Sequence, residues 1–290
     1  MSHAATGSTS IQRSLFNTLA QEMFTLLLIY CVFIAAASLL GGWIPNVIRL
    51  GHRHTQMVLS LVSGVMLGVA LLHLLPDSIE LIQDELTAMA AALTGLLFMF
   101  FMIRMFHFHD HDTTNTAHDC DHHEHEHEIK RADISWIGLA VGFAIHTIID
   151  GIALGAAVAA GSSDGESASM LAGLGVFLAI LLHKPLDALT ITSLMAVREW
   201  PKKKRASVNL LFSLMCPLGA ILYYVGVGSI GESQDFIKGV TLAFSAGVFL
   251  CISLSDLLPE VQFHSHDRLS MSGMLLLGVA VAIALEMIPF

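Results

Sequence analysis

Apolar runs of 18 residues or more, one after another, constrain this chain more than any other feature. Such a run is long enough to cross a hydrocarbon core roughly 30 Å thick. In lipid the backbone of each run must satisfy its own hydrogen bonds, so a chain of many runs becomes a bundle of spanning helices. The runs lie near 24–45, 57–80, 86–105, 134–160, 168–197, 206–228, 237–258 and 269–290. The last ends on Glu286 and Pro289, which weaken it. Composition agrees: 54% of the 290 residues are hydrophobic and 13% charged, against about 25% charged in soluble domains. Four scattered cysteines, Cys31, Cys120, Cys216 and Cys251, give no disulfide framework. The first 23 residues are polar and lack a charged segment feeding a short apolar core. A cleaved leader is therefore not expected, and the first run stays as a helix.

Basic loops remain cytoplasmic, and this sets an expected orientation. With the N-terminus outside, the cytoplasmic loops collect Arg49, Arg53, Arg104, Lys130, Arg131, Arg198, Lys202, Lys203, Lys204, Arg205 and Arg268, which is 11 of the 14 Lys and Arg residues. The acidic turns at Asp84 and Glu85, Asp164 and Glu166, and Glu232 and Asp235 then face outward. The expected fold is an all-α integral membrane protein with eight transmembrane helices and both termini extracytoplasmic. Residues 1–290 are expected to form a single transmembrane domain, with a plasma or inner membrane as the default location.

One segment, within 106–132, cannot be a span. Residues 107–128 hold eight histidines (His107, His109, His111, His118, His122, His123, His125 and His127) and seven carboxylates, with Cys120 among them. Such a tract has no apolar surface to bury and is expected to be a disordered cytoplasmic loop. Imidazole and carboxylate ligate zinc and its neighbours, so the tract reads as a metal-collecting segment. A merely solvated acidic loop is the alternative.

Ionisable side chains within a span cost roughly 2.5–3.5 kcal/mol each on insertion scales, which makes them functional candidates. Here they form a pattern. The fourth span carries His146-Thr147-Ile148-Ile149-Asp150-Gly151, and the fifth carries His183-Lys184-Pro185-Leu186-Asp187. Both contain H-x-x-x-D, and a spacing of four places the two groups on one helix face. Two such helices facing one another offer two nitrogens and two carboxylates, enough for a zinc shell between spans 4 and 5. Interhelical hydrogen bonds that only hold the bundle together are the plainer alternative. Pro185 and Gly151 are suited to a bend and to a close helix approach. A second constellation flanks the first: His73-Leu74-Leu75-Pro76-Asp77 ends span two, and Asp256-Leu257-Leu258-Pro259-Glu260 ends span seven. His73 and Asp77 are candidate entry ligands, and Asp256 and Glu260 candidate exit ligands, with His264 and His266 just beyond. Ordinary helix-end chemistry explains the same residues.

These motifs, over nearly the whole chain, resemble the ZIP family of zinc/iron-regulated transporters. The span-four H-x-x-x-D-G run, the fifth-span run similar to that of the H-K-A-P branch, the two Leu-Leu-Pro runs and the His-rich loop between spans three and four carry the resemblance. It implies eight spans, import of Zn²⁺ or related ions by alternating access, and His146, Asp150, His183 and Asp187 as the transport site. Three departures stand out. Thr147 stands where the family often has asparagine, and Pro185 is one place earlier than in H-K-A-P. Lys184 stands where many members have a carboxylate that supports a second metal. An ammonium at ~4 Å repels a unit charge by about 4 kcal/mol at an effective dielectric near 20, and a dication by roughly twice that. One metal is therefore expected in the core, with Lys184 pairing with Asp150 or Asp187 as a surrogate charge when no ion is bound; a lysine pointing away is the alternative.

Other readings fit less well. Cation-diffusion efflux carriers use similar helices but add a soluble C-terminal domain. A zincin needs H-E-x-x-H on a helix, and the match at His123–His127 falls in the repetitive loop. A metal-responsive receptor without flux uses the same ligands as a carrier. Histidine with carboxylate suits Zn²⁺, Fe²⁺, Mn²⁺ and Cd²⁺, with zinc first because of the imidazole-rich loop. Metal ions and the lipid bilayer are the expected partners, no nucleic acid or organic cofactor is expected, and a homodimer is left open.

Overall fold

The computed structural model describes residues 3–44, 52–106, 125–161, 172–227, 234–263 and 268–287. Among them the chain is entirely helical: α1 (His3–Trp43), α2 (His52–Val69), α3 (Leu75–Ile82), α4 (Glu85–Phe106), α5 (His125–Ala160), α6 (Leu174–Val197), α7 (Lys202–Ser213), α8 (Met215–Val227), α9 (Gln234–Phe263) and α10 (Arg268–Glu286). Seven stretches are long and apolar enough to cross a membrane: Gln21–Trp43, Thr55–Ile82, Glu85–Met105, Ala140–Ala160, Leu174–Ala196, Lys202–Gly226 and Gln234–Ser255. A further apolar helix, Leu269–Leu285, is shorter among the described residues. This is the helical architecture of an integral membrane protein. Helix α5 itself reaches back to His125, so residues 125–132, expected to be unstructured, are helical. Glutamate and lysine there are good helix formers, and they extend the apolar helix outward. Residues 107–124 lie outside the described residues.

Prolines interrupt two spans and leave a third intact. In the second, Pro76 follows a wide π turn at Ala70–Leu74 and sits in the first turn of α3, where its missing N–H costs nothing. The sixth breaks between Ser213 and Met215, just ahead of Pro217, and resumes with the Leu218 N–H bonded to the Leu214 carbonyl at 3.0 Å. Helix α6 runs unbroken through Pro185. Its backbone there is pressed against Gly41 of α1, where any β-carbon would fall 2.3 Å from the Pro185 Cα. Asp84 starts α4 by accepting the Thr87 N–H at 3.3 Å and the Thr87 hydroxyl, and that hydroxyl holds its carboxyl below the usual range.

Lipid gives no hydrophobic drive for helices to associate, so small residues that let backbones touch decide the pairing. Helix α5 meets α8 at Gly151 and Gly219, each against a backbone carbonyl of the other helix (Cys216 and Ile148). Helix α4 meets α9 at Gly95 and Gly247, and α2 meets α10 at Gly64 and Gly278, again reciprocally. Helix α1 packs on α6. Numbered by the apolar runs of the sequence, with α2–α3 as the second and α7–α8 as the sixth, the pairs are 4 with 6, 3 with 7, 2 with 8 and 1 with 5. Exchanging spans 1, 2, 3 and 4 for 6, 7, 8 and 5 maps this set of pairs onto itself. In the sequence, the same exchange relates the H-x-x-x-D motifs of spans 4 and 5 and the Leu-Leu-Pro runs of spans 2 and 7. The helix pairing thus has the symmetry of an internal repeat, an arrangement in which binding sites commonly lie where the two halves meet.

The tightest of these crossings offers a test. A β-carbon at Gly247 would lie 1.8 Å from the Ala92 carbonyl oxygen, while one at Gly226 meets nothing within 4 Å among the described residues. Gly247→Leu is expected to destabilise the purified protein by about 1–3 kcal/mol or more in thermal unfolding followed in detergent. Gly226→Leu should leave the midpoint unchanged.

Candidate metal centre

Two adjacent helices build the centre, each through a spacing of four. Helix α5 supplies His146 and Asp150, and α6 supplies His183 and Asp187. One ligand atom from each of the four lies within 4.8 Å of the others. Asp150 is fully buried, His146 and His183 nearly so, and Asp187 keeps 15% of its side chain exposed. The Oδ2 atom of Asp150 lies 3.4 Å from His146 Nε2 and 3.3 Å from His183 Nε2. The Oδ2 atom of Asp187 lies 3.7 and 3.9 Å from the same two nitrogens. In a tetrahedral zinc shell with bonds near 2.0 Å, neighbouring ligand atoms are about 3.3 Å apart. The four side chains are therefore close to the spacing that a single ion imposes.

The tautomers point the same way. His183 Nδ1 is 2.7 Å from the Ala179 carbonyl, which can only accept, so Nδ1 carries the proton. In the neutral ring Nε2 then presents a lone pair to the Asp150 carboxylate, and two acceptors face one another. A cation resolves that contact. Among the described residues, neither His146 Nδ1 nor Asp150 Oδ1 has a hydrogen-bond partner. Buried polar atoms seldom go unpaired, and here the spare acceptor belongs to a residue that also faces the four-ligand cluster.

The cation among these groups belongs to the chain. Lys184, 1% exposed, donates to the Asp150 carboxylate, to Asp187 Oδ2 at 3.0 Å and to Thr147 Oγ1 at 3.1 Å, which uses all three ammonium protons. Its Nζ also lies 5.7 Å from the centroid of the Phe212 ring on α7. Phe249 on α9 meets the His183 ring edge-on at 6.1 Å, and the two imidazoles stack at 5.6 Å. Sequence spacing brings the four ligands and Lys184 together. It gives no warning of Thr147 as a hydroxyl acceptor or of the two phenylalanines, because those contacts come from sequence-distant helices or from a side chain that the motif leaves unspecified.

Of the flanking candidates, His73 and Asp77 are not part of this cluster. His73 sits in the π turn with Nε2 3.1 Å from the Ala282 carbonyl of α10, and its ring lies against Gly175 at the start of α6. Asp77 is exposed in the first turn of α3. Asp256 and Glu260 fall near the end of α9, where side chains are outside the described residues, as are His264 and His266. His125 and His127 are placed only as backbone of α5, and His107, His109, His111, His118, His122 and His123 lie outside the described residues. Cys31, Cys216 and Cys251 are buried and form no disulfide among the described residues.

The sequence profile of the ZIP zinc transporter family matches residues 24–286, most of the chain. The zinc transporter ZIP9-B of Xenopus laevis is 34% identical over 143 residues, which is 48% of this chain and 45% of that protein. ZIP9 of Macaca fascicularis is 31% identical over 156 residues (51% and 63%), and ZIP10 of Homo sapiens 33% over 138 residues (47% and 15%). The matched region thus spans about half the length of the ZIP9 relatives, and much less of ZIP10.

The lysine makes the centre testable without any transport assay. Lys184→Met leaves two carboxylates in a low-dielectric interior without their cation, a loss typically worth about 3–5 kcal/mol. The variant should unfold at lower temperature than the wild type in chelator. Added Zn²⁺ should raise its midpoint by more than it raises that of the wild type, because no ammonium competes for the site. Thermal scans in detergent with and without Zn²⁺ measure both effects.

Proposed function

The chain belongs to the ZIP zinc transporter family, and from that premise we propose that it carries a divalent transition metal, zinc first, across the bilayer through one His/Asp site. The observation that carries this reading is the set of four ligand atoms within 4.8 Å of one another on two apolar spanning helices. A lone structural hydrogen bond needs one donor and one acceptor; here two imidazoles and two carboxylates converge, with two of their atoms unpartnered. Zinc leads because the relatives are zinc transporters and because imidazole with carboxylate is a zinc-type donor set. Fe²⁺, Mn²⁺ and Cd²⁺ tolerate the same donors.

In this reading the ion binds one at a time. Lys184 occupies the ground that a second dication would need, and it holds the carboxylates when no metal is bound. Arrival of an ion displaces the ammonium from Asp150 and Asp187 toward Thr147 and the Phe212 ring. His73 and Asp77 serve the outer approach, and Asp256 and Glu260 the inner exit. The His-rich segment 107–128 receives or buffers metal on the cytoplasmic side. Eight spans with both termini outside, import toward the cytoplasm and alternating movement of the two repeat halves complete the proposal. It involves no catalysis.

Uptake of radioactive Zn²⁺ into proteoliposomes tests it. Wild-type protein should give saturable accumulation. His146→Ala and Asp187→Ala, each verified as folded, should reduce the rate by at least about tenfold, the lower end of what loss of a ligand or its support costs a metal site. Zinc that binds the wild type but never accumulates would leave a receptor and overturn the carrier.

A further inference from the structure

Helix α7 begins with four consecutive cations, Lys202, Lys203, Lys204 and Arg205, directly after Pro201. Its first turn has no acidic residue and no side-chain cap, so like charges crowd the end of the helix dipole that is already positive. Lys202, Lys203 and Lys204 are exposed, and among the described residues no carboxylate pairs with them or with Arg205. Lys204 instead lies 5.7 Å over the ring of Trp200, an aromatic of the type that marks the headgroup level of a bilayer. The connection from α6 to α7 is only residues 198–201, so this cluster must sit at a membrane surface, whichever side that is.

The apolar surface below it completes the arrangement. Lys203, Ser207, Leu210 and Leu214 follow at intervals of three and four along one face of α7, with Leu211 alongside. Leu210, Leu211, Leu214 and, past the break, Leu218 are all exposed large hydrophobics. One face of this span thus runs from unneutralised cations at headgroup depth to bare leucines at acyl depth. Setting the orientation of a loop needs its cations but not a leucine face descending from them.

We propose that this face holds an anionic phospholipid, its phosphate at Lys202, Lys203 and Lys204 and its acyl chains along Leu210, Leu211, Leu214 and Leu218. The site rests on the chain's being a membrane protein and not on its carrying metal. It is linked to the centre nonetheless. The same helix donates from Asn209 Nδ2 to the Leu39 carbonyl of α1 at 3.0 Å and presents the Phe212 ring to Lys184. A lipid that steadies α7 steadies the surroundings of the buried ammonium.

Native mass spectrometry of the full chain in detergent, offered equal amounts of phosphatidylglycerol and phosphatidylcholine with identical acyl chains, reads the site directly. Each basic residue at an anionic surface contributes about fivefold in affinity. The wild type should retain phosphatidylglycerol preferentially, and the triple variant Lys202→Gln, Lys203→Gln, Lys204→Gln should lose at least about tenfold of that preference. Arg104→Gln, an exposed cation at the end of α4, should keep it. Equal retention of the two lipids, or a preference that survives in the triple variant, would overturn the assignment. So would displacement of the lipid by excess soluble glycerol phosphate, since that result leaves the leucine face without a part.

Discussion

A charge inside a bilayer has no water to answer it, and that constraint organises the centre of this protein. Asp150 is wholly buried and Lys184 nearly so. The ammonium meets that condition three times over, reaching both carboxylates and the Thr147 hydroxyl. Removing any one member would strand the others in a medium where unpaired ions cost several kcal/mol. The cluster is therefore held as a unit, and α5 and α6 are held with it.

What lets those two helices meet so closely is backbone contact elsewhere. Gly151 follows Asp150 directly and faces α8, so the residue after the ligand fixes how near α5 comes to its outer neighbour. On the other helix, Pro185 lies two residues past His183 and rests on Gly41 of α1. Each ligand helix is thus clamped, within two residues of a ligand, by a neighbour that the internal repeat makes equivalent. The symmetry is that of the packing and of the motifs. Lys184 breaks it, since the corresponding place in the span-four motif is Thr147, and the two side chains are partners across the repeat axis.

How much of this was legible in the sequence follows from the range of each interaction. Helix periodicity is local, so His146 with Asp150 and His183 with Asp187 could be assigned to shared faces, and the duplication made their meeting a reasonable expectation. Lys184 follows from the same local logic, because it lies three residues from Asp187 and next to His183. The partners of Gly151, the stacking of Phe249 and the seat of Phe212 depend on which helix packs on which, and no local pattern carries that. Proline was a weak guide for a related reason. Pro76 and Pro217 coincide with interruptions, yet Pro185 sits within an unbroken helix, because whether a missing hydrogen bond opens a turn depends on what packs across it. The start of α5 at His125 has the opposite cause: polar residues of good helix propensity continue a helix that the neighbouring apolar turns sustain.

Charge arithmetic then says why a carrier would keep a lysine here. With both imidazoles neutral, two carboxylates and one ammonium sum to −1. A dication that takes the ammonium's place at the two carboxylates brings those groups to 0, and counted with the ammonium moved aside toward Thr147 and Phe212 the cluster carries +1. The bare carboxylates alone would stand at −2. Under the proposed function the site must change its exposure both loaded and empty, and the empty passage is the one that a pair of uncompensated carboxylates would obstruct. Lys184 halves that charge without an ion from solution. The same ammonium competes with the metal it stands in for, so affinity is given up in exchange for an easier return. A binding protein that never turns over has no use for that exchange, which makes the lysine an argument for movement as well as for the number of ions bound.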